Sequence, residues 1–227
     1  MSKGPVLRLL VVASLLGGLL VGMAPSAHAA YFCLGKRATK VGTAADNTIY
    51  GTARADVIVG LGGSDTIYGY GGNDTICGGD GDDNLSGDEG NDNMIGDNGN
   101  DTVEGSPGAD VVNGKNGYDF VSGGKGGDRV RGGAQGDFVE GGLGADKVYG
   151  DLGDDFVSDF ESFDAQITST DDLYGGAGDD EIYSASDFED STVRDPDNVD
   201  GGAEDVRDVC YVDPEDTVTD CERVNRF

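Results

Sequence analysis

The sequence predicts an all-β fold, a parallel β-roll built as a right-handed solenoid with two nine-residue units per coil. Three observations predict it. A nine-residue period runs without a break from Gly42 to Ser158, glycine opens each of its thirteen units, and the eighth position of every unit is apolar. Repeats this short bury a shared core only by stacking on their neighbours. Loop insertions and a small C-terminal cap are expected after the regular region.

The composition fits a solenoid with a thin core. The chain has 227 residues, with 41 glycines and no tryptophan, and a net charge of -29 from 44 acidic and 15 basic side chains. Composition alone is equally typical of a disordered chain, but disorder does not account for the period. The acidity argues against nucleic acid and against anionic membrane surfaces as partners. Cations are the expected partners.

Residues 1–29 are predicted to be a signal peptide. Lys3 and Arg8 provide a positive start, Leu9 to Met23 is an apolar run shorter than a typical membrane span, and Ala27-His28-Ala29 is a small-residue cleavage site. An uncleaved anchor is the alternative. Cleavage predicts a secreted, extracellular chain without a transmembrane span, whose residues 30–41 form an N-terminal cap segment.

Each fixed position of the unit has a physical reason. Glycine at positions one and four tolerates positive φ and lets a cation approach the backbone, so the first four residues are expected to form a turn with inward-pointing carbonyls. The residue at position eight points into the interior and its neighbours point out. Because the period is odd, successive turns lie on opposite sides. Turns n and n+2 therefore stack, about 4.8 Å apart.

The sixth position is aspartate in twelve units and Asn47 in the first. Carboxylates are the hard oxygen ligands that calcium prefers. Each calcium ion is expected between two stacked turns, taking one aspartate from each, which gives six gaps on one side and five on the other. Solvated turns also use Asp and Gly, but they do not keep aspartate at one phase. The predicted metal ligands are Asn47, Asp56, Asp65, Asp74, Asp83, Asp92, Asp101, Asp110, Asp119, Asp128, Asp137, Asp146, Asp155, Asp171 and Asp180.

The units resemble the calcium-binding nonapeptide G-G-x-G-x-D-x-U-x of hemolysin-type (RTX) proteins. The clearest are Gly78 to Ser86 and Gly141 to Tyr149, and the resemblance covers Gly42 to Ser158 and a shorter stretch from Asp171 to Tyr183. It implies a parallel β-roll that takes up calcium in its turns. The toxin, lipase and protease activities of larger members are not carried over, because the chain lacks room for a large catalytic domain. It looks more like small secreted members framed by cysteines.

The period breaks after Ser158. The segment 159–207 is expected to hold two insertions, 159–170 and 184–196, around further degenerate repeats that place Asp171 and Asp180 at position six. Insertions in solenoids are usually surface loops, and a binding face is the alternative. Residues 208–227 are predicted to form a C-terminal disulfide cap.

Four cysteines in an exported chain predict two disulfides, for which three pairings are possible. Cys33 with Cys77 and Cys210 with Cys221 is the favoured pairing. Cys77 has the outward phase of position nine, so an N-terminal segment outside the roll can reach it, and Cys210 and Cys221 are close in sequence.

The sequence predicts a calcium-ion-binding protein that folds on binding calcium outside the cell, acts as a monomer in a structural or interaction role at a cell wall or matrix, and is not an enzyme. The only histidine, His28, lies in the predicted signal, so no imidazole remains for a catalytic triad or a zinc site. Two alternatives stay open. One is a polysaccharide hydrolase that uses Asp159, Glu161 and Asp164. The other is an ice- or surface-binding solenoid, although its threonine ladder at position seven ends early.

Overall fold

A computed structural model describes residues 30–159, 170–184, 198–202, 208–212 and 216–226. These residues form 22 β-strands and no helix, which confirms the all-β prediction. The described part of the chain accordingly has no helix of the length and hydropathy that a membrane span needs. The predicted signal peptide, Glu161, Asp164 and most of both insertions lie outside the described residues.

The strands are short and follow one another at the spacing of the repeat. In chain order they are β1 (Phe32–Cys33), β2 (Lys36–Arg37), β3 (Lys40–Val41), β4 (Thr48–Thr52), β5 (Val57–Gly62), β6 (Thr66–Tyr70), β7 (Thr75–Asp80), β8 (Asn84–Ser86), β9 (Asn93–Asn98), β10 (Thr102–Pro107), β11 (Val111–Asn116), β12 (Phe120–Lys125), β13 (Arg129–Ala134), β14 (Phe138–Leu143), β15 (Lys147–Leu152), β16 (Phe156–Ser158), β17 (Asp172–Ala177), β18 (Glu181–Tyr183), β19 (Asn198–Asp200), β20 (Val209–Val212), β21 (Thr217–Thr219) and β22 (Arg223–Arg226).

From β3 onward the strands alternate between two ten-stranded parallel sheets. The odd-numbered strands β3 to β21 form one sheet, and the even-numbered strands β4 to β22 form the other. The register advances by 18 residues in the regular region, so that Val103 pairs with Leu85 on one side and with Val121 on the other. One coil therefore takes two units. This confirms the predicted β-roll and the stacking of unit n on unit n+2.

The core is one file of apolar side chains between the two sheets. The side chain at position eight is fully buried in each unit from Ile58 to Val157. It points inward because neighbouring side chains of a strand face opposite sides. After the regular region the same file continues through Leu173, Ile182, Val199 and Cys210. A core only one side chain wide leaves most of the remaining side chains in the turns and on the outer faces.

Two disulfides join the predicted cysteine pairs. Cys33 lies in the β1–β2 hairpin and bonds to Cys77 on the outer face of β7, whereas Cys210 bonds to Cys221. The hairpin also covers part of the outer face of the first sheet, where Cys33, Val59 and Cys77 form a small buried cluster. In the predicted C-terminal cap, β20, β21 and β22 extend the same two sheets.

Candidate metal centre

The residues at position six form two rows, one along each edge of the roll. Row A lies in turns that lead from an even-numbered to an odd-numbered strand and contains Asp56, Asp74, Asp92, Asp110, Asp128, Asp146 and Asp171. Row B lies in the turns of the opposite edge and contains Asn47, Asp65, Asp83, Asp101, Asp119, Asp137, Asp155 and Asp180. The roll thus gathers the predicted ligands into two lines, one residue per coil in each.

Each carboxylate reaches back to the preceding turn of its row. Oδ1 of Asp74 accepts a hydrogen bond of 2.7 Å from the backbone N–H of Asp56, and Oδ1 of Asp119 accepts one of 2.8 Å from the N–H of Asp101. The same bond recurs along both rows as far as Asp180. A buried N–H group needs such a partner. One oxygen of each carboxylate therefore has a structural role.

In ten of these carboxylates the other oxygen is buried without a hydrogen bond. Leaving a buried polar group unsatisfied is costly, and more so for a charged group. Because the same carboxylate oxygen is unsatisfied at ten positions, we infer that all ten oxygens bind the same kind of partner. The ten Oδ2 atoms belong to Asp65, Asp74, Asp83, Asp92, Asp101, Asp110, Asp119, Asp128, Asp137 and Asp155.

The glycine at position one leaves space beside that second oxygen. A Cβ added to Gly60 would lie 2.3 Å from Asp65 Oδ2 and 2.4 Å from the carbonyl oxygen of Gly78 in the next turn. At Gly96 the corresponding distances are 2.2 Å to Asp101 Oδ2 and 2.8 Å to the carbonyl oxygen of Gly114. A carboxylate oxygen and a carbonyl oxygen from successive turns thus face the same bare Cα, where any side chain would collide with them.

Burial disfavours the ionised form of these carboxylates. It raises the pKa of Asp74 to about 6, the pKa of Asp101 to about 7 and that of Asp155 to about 8. The hydrogen bond from the backbone N–H opposes this rise, and the neighbouring carboxylates of the same row add to it. Near neutral pH the ionised rows are therefore electrostatically unfavourable by themselves, and a bound cation would make the ionised form favourable.

The first residue of each row differs from those that follow. Asn47 Oδ1 accepts hydrogen bonds from the backbone N–H and the hydroxyl of Thr43, at 2.6 and 3.2 Å. The hydroxyl of Thr52 donates to Asp56 Oδ2 at 2.8 Å. Threonine stands at position two in both units. In these two residues, Asn47 and Asp56, a threonine hydroxyl donates a hydrogen bond to a side-chain oxygen. Further along the rows the Oδ2 atoms receive no such bond.

The rows continue past the regular region, as predicted for Asp171 and Asp180. Asp171 accepts from the N–H of Asp146, and Asp180 accepts from the N–H of Asp155. The structure adds Asp208, which accepts from the N–H of Asp180 at 3.0 Å. Gly201 stands beside this carboxylate, since a Cβ added there would lie 3.0 Å from Asp208 Oδ2. The signal in the sequence was Gly201-Gly202 followed by Asp208-Val209-Cys210-Tyr211, with the aspartate two residues further from the first glycine than in a regular unit.

Asp159 was predicted only as a residue of the alternative hydrolase. It follows β16, at the place where every earlier unit has its first glycine. Its carboxylate groups with those of Asp146 and Asp171, all three are buried, and one oxygen of each lies within 4.8 Å of the others. Asp159 Oδ1 lies 3.0 Å from the Cβ position of Gly141, so a carboxylate oxygen replaces a glycine carbonyl in this gap. Glu161 and Asp164 fall outside the described residues.

The donor set fits a hard divalent cation. It consists of carboxylate and carbonyl oxygens held by the backbone, and the described position-six residues include no histidine or cysteine. Calcium takes six to eight oxygen ligands at about 2.3–2.6 Å in flexible geometry, whereas zinc favours nitrogen and sulfur. The residues present therefore match calcium.

Comparison with protein families gives one match. A family model described as RTX calcium-binding nonapeptide repeat matches residues 41–157, through overlapping copies, and residues 168–187. Together these ranges cover more than half of the chain. A comparison with curated proteins gave no match.

Proposed function

Because the chain belongs to the family of RTX calcium-binding nonapeptide repeats, whose repeats bind calcium, we propose that it is a secreted protein whose roll folds when calcium binds outside the cell. In this proposal the position-six side chains are the ligands. Those from Asp65 onward bind the ions, and Asn47 and Asp56 are the weakest of the set because threonine hydroxyls already occupy them.

The observation that carries the proposal is the run of buried Oδ2 atoms without a hydrogen bond. Each lies beside a bare glycine Cα, and at nine of the ten a carbonyl oxygen of the next turn also faces that Cα. Bound there, a calcium ion supplies positive charge and accepts these oxygens as ligands. The carboxylates of one row then no longer repel each other, and two successive turns share ligands to one ion.

The thin core explains why folding would depend on the ion. Each unit contributes only one buried apolar side chain to the core, whereas ordering the backbone of nine residues costs conformational entropy at every residue. Ladder hydrogen bonds offset part of this cost, but the rows of buried carboxylates add to it at neutral pH. Calcium at millimolar levels outside the cell would fill sites of about 10⁻⁴–10⁻³ M, and cytoplasmic calcium would leave them empty.

The proposed role is structural or interactive, and not catalytic. The family is in general non-catalytic, and the position-six carboxylates are committed to backbone N–H groups through Oδ1. Export is supported by the signal-like residues 1–29 and by two disulfides, which persist in oxidising compartments. We expect a monomer with a cell-wall or matrix partner.

Circular dichroism of chain 30–227 tests the proposal. In chelator the spectrum should be that of coil, and millimolar calcium should produce β-structure. Magnesium at equal concentration should act poorly, because it requires tight octahedral geometry and retains its water. A full β-spectrum in chelator, or an equal response to magnesium, would refute calcium-driven folding.

A further inference from the structure

The two edges of the roll carry different charge outside their position-six rows. Between residues 42 and 154 the first five positions of the row B turns contain six acidic side chains and one lysine: Asp46, Asp80, Asp82, Asp97, Asp151, Asp154 and Lys115. The row A turns contain two acidic and two basic side chains: Asp88, Glu89, Arg54 and Lys125. The flanking charge of these five positions is therefore -5 along row B, where Asp151 forms an ion pair with Arg131 at position nine of the unit 123–131, and zero along row A.

An acidic side chain is not required at position five of the turn. Asp82 Oδ1 accepts a hydrogen bond of 2.8 Å from the N–H of Asn100, one coil further on. In row A the equivalent bond, 3.0 Å from the N–H of Ala109, is accepted by the neutral Asn91. Asparagine and aspartate thus make the same bond at position five. At position five, therefore, the turn does not require a negative charge.

Three of the acidic side chains of row B, those of Asp46, Asp82 and Asp154, directly precede a position-six residue. Their Oδ1 atoms accept hydrogen bonds of 2.9, 2.8 and 3.0 Å from backbone N–H groups one coil further on, and each donor residue directly precedes the next position-six residue of the row. These carboxylates thus link successive turns of row B beside the ligands. At position five of row A, between residues 42 and 154, no residue is acidic.

We propose that the two edges bind calcium as two classes of site, with row B between Asp65 and Asp155 the tighter and row A between Asp74 and Asp128 the weaker. This rests on the proposed function, since it ranks the sites of the same two rows. The reason is Coulomb attraction: both rows have the same carboxylate, the same backbone hydrogen bond and the same glycine, and differ in the charged side chains of their turns. One added negative charge there strengthens calcium binding by about threefold to tenfold at moderate salt.

Such a difference would give the roll a stepwise response. As calcium rises, row B would fill first and link the successive turns of its edge of the roll. Row A would fill at higher calcium and link the turns of the opposite edge. At intermediate calcium one edge would be fixed while the other stays free to exchange its ions.

Calcium release from the full chain 30–227 tests this. The loaded protein is mixed with a fluorescent chelator, and row B predicts a slow phase and row A a fast one. Asp101→Asn and Asp110→Asn are a matched pair, because each keeps an oxygen for its N–H bond, from Asp83 and Asp92 respectively. Asp101→Asn should reduce the slow amplitude, and Asp110→Asn the fast amplitude.

Variants that remove flanking charge but keep every position-six ligand separate the electrostatic effect from direct metal binding. The triple variant Asp80→Asn, Asp82→Asn and Asp97→Asn should speed the slow phase about threefold or more. Its control, Asp88→Asn with Glu89→Gln and Glu104→Gln, removes equal charge and should leave the slow phase unchanged. A single release phase in the wild type, or equal effects of both triple variants on the slow phase, would overturn the two-class proposal. Absence of any calcium uptake would instead overturn the proposed function.

Discussion

Replacing Asp101 by asparagine should weaken the roll only to the extent that calcium is present. Asp101→Asn keeps an oxygen for the N–H of Asp83 but turns the buried Oδ2, which has no hydrogen bond, into an amide. The packing and the backbone ladder remain, and one ligand for calcium is lost. The substitution therefore separates metal binding from the structural role of the same side chain.

The loss follows from mass action. A site with a dissociation constant of about 10⁻⁴–10⁻³ M adds about 1.4–2.7 kcal/mol to the free energy of unfolding at 10 mM calcium. At 1 mM calcium the same site adds only about 0.4–1.4 kcal/mol. The deficit of the variant should therefore grow by about 1 kcal/mol between the two concentrations.

Urea unfolding at 1 and 10 mM calcium measures this deficit. The control is Glu104→Gln, an equal charge change at an exposed outward position of β10, which should be nearly neutral at both concentrations. A deficit of Asp101→Asn that stays constant as calcium rises would mean that the carboxylate acts through packing alone. Unchanged stability at 10 mM calcium would remove Asp101 from the ligand set.

Three further outcomes are expected. Gly96→Ala places a Cβ 2.2 Å from Asp101 Oδ2 and should lower the calcium stoichiometry in calorimetry, whereas Gly71→Ala, whose Cβ meets nothing nearer than 3.8 Å, should not; equal stoichiometry in the two would contradict the cradle. Leu85→Ala removes a fully buried member of the core file and should cost about 2–5 kcal/mol in urea unfolding; a cost near zero would mean that the file does not hold the sheets together. Burial raises the pKa of Asp74 to about 6 and that of Asp101 to about 7, above the unfolded value of 3.8. The calcium-free roll should therefore be most stable below about pH 4 and lose that stability as pH rises through 6 to 7. More β-structure at pH 8 than at pH 4, measured by circular dichroism in chelator, would contradict this.

Most of the architecture was predictable because the period carries it. Val103, at position eight, had to share a side with Leu85 and Val121, and an odd period had to alternate the turns between two edges. The sixth position predicted the two rows for the same reason. The outward phase of Cys77 was enough to favour its bond to Cys33.

The rest depended on contacts that the period does not encode. Asp159 and Asp208 lie where insertions or missing glycines break the phase, so the motif gave no position for them. The hydroxyls of Thr43 and Thr52 satisfy Asn47 and Asp56 through local turn geometry, which a repeat pattern does not report. In ten of the carboxylates Oδ1 accepts from the backbone and Oδ2 is buried without a hydrogen bond, and this difference between the two oxygens appears only in three dimensions.

Anomalous diffraction from crystals of chain 30–227 grown with calcium would locate the ions directly. We expect peaks between successive turns along both edges, each beside the bare Cα of a position-one glycine such as Gly96 or Gly114 and in contact with a position-six carboxylate. Peaks confined to exposed acidic side chains, with none between the turns, would contradict calcium binding by the two rows.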